Sequence, residues 1–321
     1  MTSPNRLRLG WIGLGSMGMA MATNLQKHLS KTSSPSLVYH NRTMSRGDAL
    51  QDLGANPSAS VADLASNADI IFLSLSDDSA LDSVISSLSG PGCAADMSGK
   101  IVVDTSTVHP DTTAAAHQRL TNVGAKFVAA PVFGASPVAA EGQLLFILAG
   151  PDDAVQALEP FLVGVMARSA IRLGEDVTKS SLLKTAGNFV TAGMMEVVAE
   201  AHVFAEKTGL GNEAMEALLE QQYGPLAYSM SRRLTTGAYM PPPGERPWSD
   251  LNLAIKDVGH GISAASATGV RLHVGEVAIR HLNEARTRDR PLDSSSMYGV
   301  LREEAGLDFA TNLIKNRDNV Q

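Results

Sequence analysis

The stretch LRLGWIGLGSMGMAMATNL, residues 7 to 25, decides the fold class of this 321-residue chain. An apolar run typical of a buried strand passes through GLGSMG, residues 13 to 18, into a segment with helical spacing. When a strand leads through a G-x-G-x-x-G turn into a helix, the three glycines have separate roles. They allow a tight turn, the close approach of a pyrophosphate, and the close packing of the helix on the strand. The helix N-terminus adds free N–H groups for the anion. We therefore predict that a dinucleotide binds at Gly13, Leu14, Gly15, Ser16, Met17 and Gly18.

Five further apolar runs in the first half of the chain have the composition of buried strands. They are residues 37–41, 69–75, 100–106, 126–132 and 144–150. Segments with helical spacing separate most of the strands, for example residues 17–29, 45–53 and 111–123. Short apolar strands that alternate with helices form parallel sheets covered on both faces. We predict an α/β fold with a Rossmann-type, doubly wound parallel sheet over residues 1–174.

The second half of the chain has a different composition, which is rich in alanine, leucine and glutamate. Residues 178–207 contain no proline and only two glycines, which favours one long helix. Further helices are predicted at residues 212–222, 250–268, 274–286 and 296–304. The segment MPPPGERP, residues 240 to 247, breaks this pattern and predicts a surface loop or flap. Residues 175–321 are therefore expected to form an all-helical C-terminal domain, joined to the first domain by the long helix.

Composition narrows the class of partner. The net charge of −7 disfavours nucleic acid, which requires a clustered positive surface. No uninterrupted apolar run is long enough to span a membrane, and MTSPNR ahead of the first strand is too short for a targeting peptide, so we expect a cytoplasmic protein. The single cysteine, Cys93, has no partner for an internal disulfide.

The end of the second strand, YHNRT at residues 39 to 43, bears on the choice of cofactor. Sites that prefer NAD offer an acidic residue to the ribose hydroxyls about 20 residues beyond the glycine loop. Here no acidic residue occurs before Asp48. Arginine can neutralise a 2′-phosphate, and asparagine and threonine can donate hydrogen bonds to it. We predict NADP(H) as cofactor, bound by Asn41, Arg42, Thr43 and Arg46.

Four other motifs follow the glycine loop of IGLGSMGMAMATNL (12–25): DTST (104–107), APVFGASPVAAEGQL (130–144), KTAGN (184–188) and IKDV (255–258). With these motifs in this order, the chain resembles the β-hydroxyacid dehydrogenase family. That family includes 3-hydroxyisobutyrate dehydrogenases and glyoxylate/succinic semialdehyde reductases and is related to 6-phosphogluconate dehydrogenase. The resemblance implies the same two-domain fold, commonly assembled as homodimers or homotetramers.

The resemblance also implies site residues. Lys184 matches the catalytic lysine and Asn188 its neighbour one helical turn away. A positioned ammonium can stabilise the charge that grows on a carbonyl oxygen and deliver its proton. Ser106 matches a hydroxyl that meets the substrate carboxylate, whereas Thr107 and Lys256 match residues near the nicotinamide. Leu75 and Ser76 follow a strand and are expected to line the nicotinamide through backbone contacts.

One stretch departs from the family pattern. Phe133, Gly134 and Ala135 stand where the family commonly has Ser-Gly-Gly around the substrate carboxylate. Phenylalanine removes a hydroxyl donor, and alanine adds a methyl group. In one hypothesis the substrate is larger or more apolar than glyoxylate and packs against Phe133. In the alternative, Phe133 turns into the core and the neighbouring backbone still binds the acid.

These observations predict an NADPH-dependent oxidoreductase that interconverts a small aldehyde or keto acid and the corresponding hydroxy acid, with Lys184 as general acid/base. One alternative is an imine reductase of the same architecture, although relatives of that kind usually lack the lysine. Another is a non-catalytic NADP-binding module. No metal is expected, because His260 and Asp257 have helical spacing but lack further ligands.

Overall fold

The structure is a computed structural model of the chain and describes residues 7–93 and 95–319. The MTSPNR segment, for which we predicted no targeting role, lies outside the described residues. The chain forms two compact units, Met1–Lys184 and Thr185–Gln321. The predicted boundary after residue 174 falls in the short linker that precedes the long helix, and we keep it as a proposal.

The first unit is built on a six-stranded parallel sheet. Its strands are β1 (Leu9–Ile12), β2 (Val38–His40), β3 (Asn56–Pro57), β4 (Ile70–Leu73), β5 (Ile101–Asp104) and β6 (Lys126–Ala129). They lie in the order β3-β2-β1-β4-β5-β6. The order reverses direction between β1 and β4, and ligands bind at such a switch point outside the carboxyl ends of the strands. The predicted doubly wound sheet is confirmed.

Helices cover this sheet. They are α1 (Ser16–Lys31), α2 (Asp48–Asp52), α3 (Val61–Asn67), α4 (Asp78–Ser89), α5 (Pro110–Asn122), α6 (Ser136–Ala140) and α7 (Asp152–Leu162). The sequence predicted α1 and α5 closely, whereas the predicted helix at 45–53 is a 3₁₀ turn, Met44–Gly47, followed by the short α2. The central strands β1 and β4 are buried on both faces, and the rings of Trp11 and Phe72 stack with centroids 5.2 Å apart.

Two strand predictions need correction. The run 126–132 is not one strand, because Pro131 separates β6 from β7 (Val132–Phe133) and proline has no N–H for the ladder. The run 144–150 forms β8 (Leu144–Leu148), which joins a separate three-stranded sheet between β7 and β9 (Ala167–Arg172) instead of extending the parallel one. The chain reverses at Gly134, where φ is +132°, so β7 and β8 pair antiparallel.

The helix α8 (Val177–Thr208) begins in the first unit and continues into the second, as the sequence predicted. The second unit also contains α9 (Asn212–Thr235), α10 (Leu251–Ser266), α11 (His273–Ala285), α12 (Met297–Glu304) and α13 (Asn312–Asn319). The predicted helix 212–222 agrees with the first part of α9, which ends at the kink at Gly224 (φ 80°). The second part, which Pro225 opens, was not predicted.

The core of the second unit is centred on the buried rings of Tyr239 and Tyr298, which meet edge to face at 5.2 Å. The proline-rich segment 240–247 is a loop without regular structure between α9 and α10. Arg290 and Arg317 donate to the carbonyl oxygens of Pro241 and Met240, which ties the start of the loop down. Among the described residues, no helix is both long and apolar enough to cross a membrane.

Candidate active site

The glycine loop joins β1 to α1. Two of its glycines are closely packed against neighbouring backbone, and the third has open space beside it. A Cβ on Gly13, whose φ is +99°, would lie 2.2 Å from the carbonyl oxygen of Ser74, and one on Gly18 would lie 2.2 Å from that of Gly13. A Cβ on Gly15 would meet nothing within 4 Å. Gly15 is also the N-cap of α1. The loop is therefore packed against the strands on one side and open at the helix N-terminus, a geometry that fits a pyrophosphate.

The end of β2 holds this loop in place. The side-chain oxygen of Asn41 accepts a hydrogen bond from the Leu14 N–H at 2.8 Å, and its amide donates to the Thr43 carbonyl oxygen at 2.7 Å. Asn41 therefore fixes the backbone of the glycine loop, a role that the sequence did not reveal.

The two arginines that follow β2 are exposed. Within residues 7–93 and 95–319, neither Arg42 nor Arg46 forms an ion pair with a carboxylate. Thr43 is exposed beside them. This segment presents two positive charges to solvent at the carboxyl edge of the sheet.

The loops after β4 and β5 are joined by a hydrogen bond. The Ser106 hydroxyl is buried and accepts from the Leu75 N–H at 2.9 Å, while the Ser106 N–H donates to Asp104 at 3.0 Å. Ser76 donates to Asp77 at 2.6 Å, and Thr107 is half-buried. The structure thus brings Leu75 and Ser106 together at the same edge as the glycine loop.

Residues 133–135, which depart from the family pattern, run from the last residue of β7 to the start of α6. Gly134 cannot carry a side chain without moving its neighbours, because a Cβ there would lie 2.6 Å from the Leu144 side chain. Ala135 is the N-cap of α6, and α6 packs on α1, where Asn24 donates to the Ala139 carbonyl oxygen at 2.9 Å. The family's carboxylate-binding stretch is therefore placed beside the helix of the glycine loop.

The first turns of α8 are fastened to the first unit. Ser180 donates to the carbonyl oxygen of Ile147 on β8 at 2.7 Å, and the Ser181 and Thr113 hydroxyls are 2.6 Å apart. Lys184 lies one turn beyond Ser180 and is 8% exposed. Its Nζ is 4.1 Å from the centroid of the Phe133 ring. The family resemblance placed both residues in the substrate site, but no local pattern predicted this contact, because the two residues are far apart in the chain.

In the second unit, Asn188 and Lys256 share one carboxylate. The Asn188 amide donates to Asp257 Oδ2 at 2.9 Å, and Lys256 Nζ is 2.7 Å from Asp257 Oδ1. Asp257 therefore orients both residues. The sequence left open whether Asp257 holds a helix or touches ligand, and the structure shows it in contact with these two side chains.

Two other ionisable groups of the long helix, Glu196 and His202, are buried. Glu196 lies 2.5 Å from His281 in the core, and burial raises the pKa of this carboxyl. His202 is fully buried, 2.8 Å from both Asn212 and Ser231, and burial lowers its pKa. Among the described residues, no three His, Cys, Asp or Glu side chains cluster in a way that could hold a metal ion.

Two family models match the chain. Residues 8–174 match the NAD binding domain of 6-phosphogluconate dehydrogenase, and residues 179–301 match the NAD-binding domain of NADP-dependent 3-hydroxyisobutyrate dehydrogenase. The fold and the site thus define an oxidoreductase that binds a nicotinamide cofactor. The chain belongs to the β-hydroxyacid dehydrogenase family.

Relatives of known sequence agree with this assignment. The NADH-dependent oxidoreductase ucdB of Aspergillus ustus is 32% identical over 92% of this chain and 99% of that protein. The chloroplastic glyoxylate/succinic semialdehyde reductase 2 of Arabidopsis thaliana is 32% identical over 66% of this chain and 57% of its own length.

Solved structures share the fold. The 3-hydroxyisobutyrate dehydrogenase of Salmonella typhimurium has a TM-score of 0.78 at 21% identity and covers 92% of this chain and 99% of its own. An imine reductase from Streptomyces aurantiacus has a TM-score of 0.61 at 21% identity, with 92% of this chain and 99% of its own covered.

Proposed function

We propose that this protein is an NADPH-dependent oxidoreductase that interconverts a small aldehyde or keto acid and the corresponding hydroxy acid, with Lys184 as general acid/base. The observation that carries the proposal is a buried lysine on an anchored helix. Lys184 is 8% exposed and belongs to the same unit as the open glycine loop. Burying an ammonium costs free energy, and proton transfer to an oxygen is a role that this family's chemistry requires of such a group.

The chemistry follows from the charge on the lysine. A bound reduced nicotinamide supplies the hydride to the carbonyl carbon. The Lys184 ammonium stabilises the negative charge that grows on the carbonyl oxygen and gives that oxygen its proton. In the oxidative direction, the neutral amine takes the hydroxyl proton. Asn188, held by Asp257, is proposed as the second catalytic side chain.

The remaining assignments complete the site. We assign substrate binding to Ser106, Phe133, Gly134 and Ala135. We assign the cofactor to the glycine loop (residues 13–18), to Asn41, Arg42, Thr43 and Arg46, and to Leu75, Ser76, Thr107 and Lys256.

The preference for NADP(H) rests on charge. Arg42 and Arg46 are exposed after β2, and the chain has no acidic residue before Asp48. A 2′-phosphate would meet positive charge there and no local repulsion. The name of the Aspergillus ustus relative states dependence on NADH for that protein, so the cofactor choice is the first quantity to measure.

One assay tests the function and the cofactor together. Wild type, Lys184→Ala and Lys179→Ala are screened against small aldehydes, keto acids and cyclic imines while NADPH or NADH absorbance is followed. Lys179 lies on the same helix but is exposed, so its variant is the matched control. We expect Lys184→Ala to lower kcat by about 10²- to 10⁴-fold, with cofactor affinity nearly unchanged.

Each alternative has a distinct outcome in this assay. Turnover of cyclic imines without turnover of carbonyl acids would identify an imine reductase. Tight NADPH binding without turnover over the whole panel would identify a non-catalytic module. A lower Michaelis constant for NADH than for NADPH would overturn the cofactor assignment alone.

A further inference from the structure

We propose that Phe133 is the residue that positions Lys184 and selects the substrate, so that the preferred carbonyl compound carries a hydrophobic group in place of a short carboxylate. This inference rests on the proposed function, since it concerns the same lysine. It goes further by naming the substrate class and the side chain that determines it.

The Phe133 ring is held by the backbone of its strand. Val132 pairs with Phe146 and Phe133 pairs with Leu145 in the β7–β8 ladder. Val132 is buried, whereas Phe133 is half-buried and therefore does not turn wholly into the core. Of the two hypotheses that the sequence left open, this geometry favours the one in which the ring faces the site.

The turn that follows adds to this rigidity. Gly134 has a φ of +132°, a region that favours glycine, and a Cβ there would lie 2.6 Å from Leu144 and 3.1 Å from Val138. The neighbouring Ala135 caps α6, which is packed on α1. The ring therefore has little freedom to move away with its loop.

The lysine is held from the other side. Ser180 and Ser181 fix the first turns of α8 to β8 and α5, through the Ile147 carbonyl oxygen and the Thr113 hydroxyl. Lys184 follows one turn later, and its Nζ lies 4.1 Å from the ring centroid. This distance is well within the range in which an ammonium is attracted to the face of an aromatic ring.

The contact has two chemical consequences. The ring face attracts the ammonium, which fixes the point from which the proton is delivered. The ring offers no hydrogen-bond donor, so a short carboxylate lacks the anchor that a serine hydroxyl at this position would supply. An aliphatic or aromatic group at that position would instead bury apolar surface against the ring.

Two variants separate these consequences. Phe133→Ser restores a small hydroxyl donor, whereas Phe133→Leu keeps an apolar side chain but removes the aromatic face. The substrates are glyoxylate, which is a short carboxylate, and 3-phenylpropanal, which is apolar and has none. Cofactor affinity and thermal unfolding of each variant are measured to show that the first unit is still folded.

We expect wild type to have the higher kcat/KM for 3-phenylpropanal. Phe133→Ser should shift the ratio of the two kcat/KM values toward glyoxylate by at least about tenfold. Phe133→Leu should keep the wild-type preference but lose about tenfold in kcat on both substrates, with KM little changed, because the attraction between the aromatic face and the ammonium is lost.

The possible failures are distinguishable. A wild-type preference for glyoxylate, or an unchanged ratio in Phe133→Ser, would overturn the assignment of specificity while turnover still supports the proposed function. An unchanged kcat in Phe133→Leu would overturn the positioning role. Absence of turnover by wild type on every carbonyl compound would instead defeat the proposed function, and this inference with it.

Discussion

At the scale of single residues, the three glycines of the phosphate loop meet three different constraints. Gly13 and Gly18 face backbone carbonyl oxygens at a distance no Cβ tolerates, whereas the space beside Gly15 is open. The G-x-G-x-x-G pattern predicted these roles because they are local to a strand, turn and helix. The part played by Asn41 was not predicted, because a hydrogen bond to Leu14 across the loop leaves no mark on sequence spacing.

Substitutions of Gly18 and Gly15 should have different effects, the first on stability and the second on cofactor binding. Gly18→Ala places a methyl group 2.2 Å from the Gly13 oxygen and should lower the free energy of unfolding by about 1–3 kcal/mol. Gly15 has a φ of −70°, and a Cβ added there would meet free space. The Gly15→Ala apoprotein should therefore unfold as wild type does, while its Kd for the cofactor rises at least about tenfold. Thermal unfolding measures the change in stability, and nucleotide titration measures the change in Kd. Equal effects of the two variants on unfolding would contradict this account.

At the scale of elements, the long helix was the most predictable part of the second unit. Its composition and lack of proline are local properties, and the predicted span, 178–207, nearly equals Val177–Thr208. The polar contacts of its side chains were harder to predict from the sequence. His202 was expected to be packed or to cap a helix, and the structure shows it buried between Asn212 and Ser231 on α9.

The buried His202 should make stability fall in mild acid. Burial lowers its pKa below the ordinary value of 6.5, so the unfolded chain binds the proton more readily. Its contribution is fully present above that value and declines as pH falls through it. Between about pH 7.5 and 5.5, wild type should lose more unfolding free energy than His202→Gln, as measured by denaturant titration.

This comparison isolates one group. Burial raises the pKa of Glu196, which acts in the opposite direction but is present in both proteins. Parallel stability curves for wild type and His202→Gln would show that the histidine does not titrate on unfolding.

At the scale of the whole molecule, one face of α8 points to self-association. Leu183, Val190, Val197 and Phe204 recur every seven residues and are 36%, 51%, 61% and 60% exposed. A seven-residue apolar repeat on a helix forms a stripe that suits packing against another helix. The stripe supports the homodimer or homotetramer that we predicted from the family resemblance, and a second copy of the chain is its proposed occupant.

A charge in this stripe should prevent assembly. Phe204→Glu places a carboxylate on the apolar face, and we expect it to sediment as a monomer while wild type sediments as a dimer or tetramer. Leu313→Glu is the control, because Leu313 is 52% exposed but lies on α13. Identical sedimentation of wild type and Phe204→Glu would refute the assignment of this surface.

The sequence alone predicted the parallel strands β1, β2, β4, β5 and β6, the glycine loop and the long helix, because hydrophobic period, turn residues and helix propensity act between near neighbours in the chain. Only the tertiary structure decided that β8 joins a second sheet, that Asn41 fastens the glycine loop and that the Lys184 ammonium rests on the Phe133 ring. These arrangements depend on packing between segments distant in sequence, which local pattern does not encode.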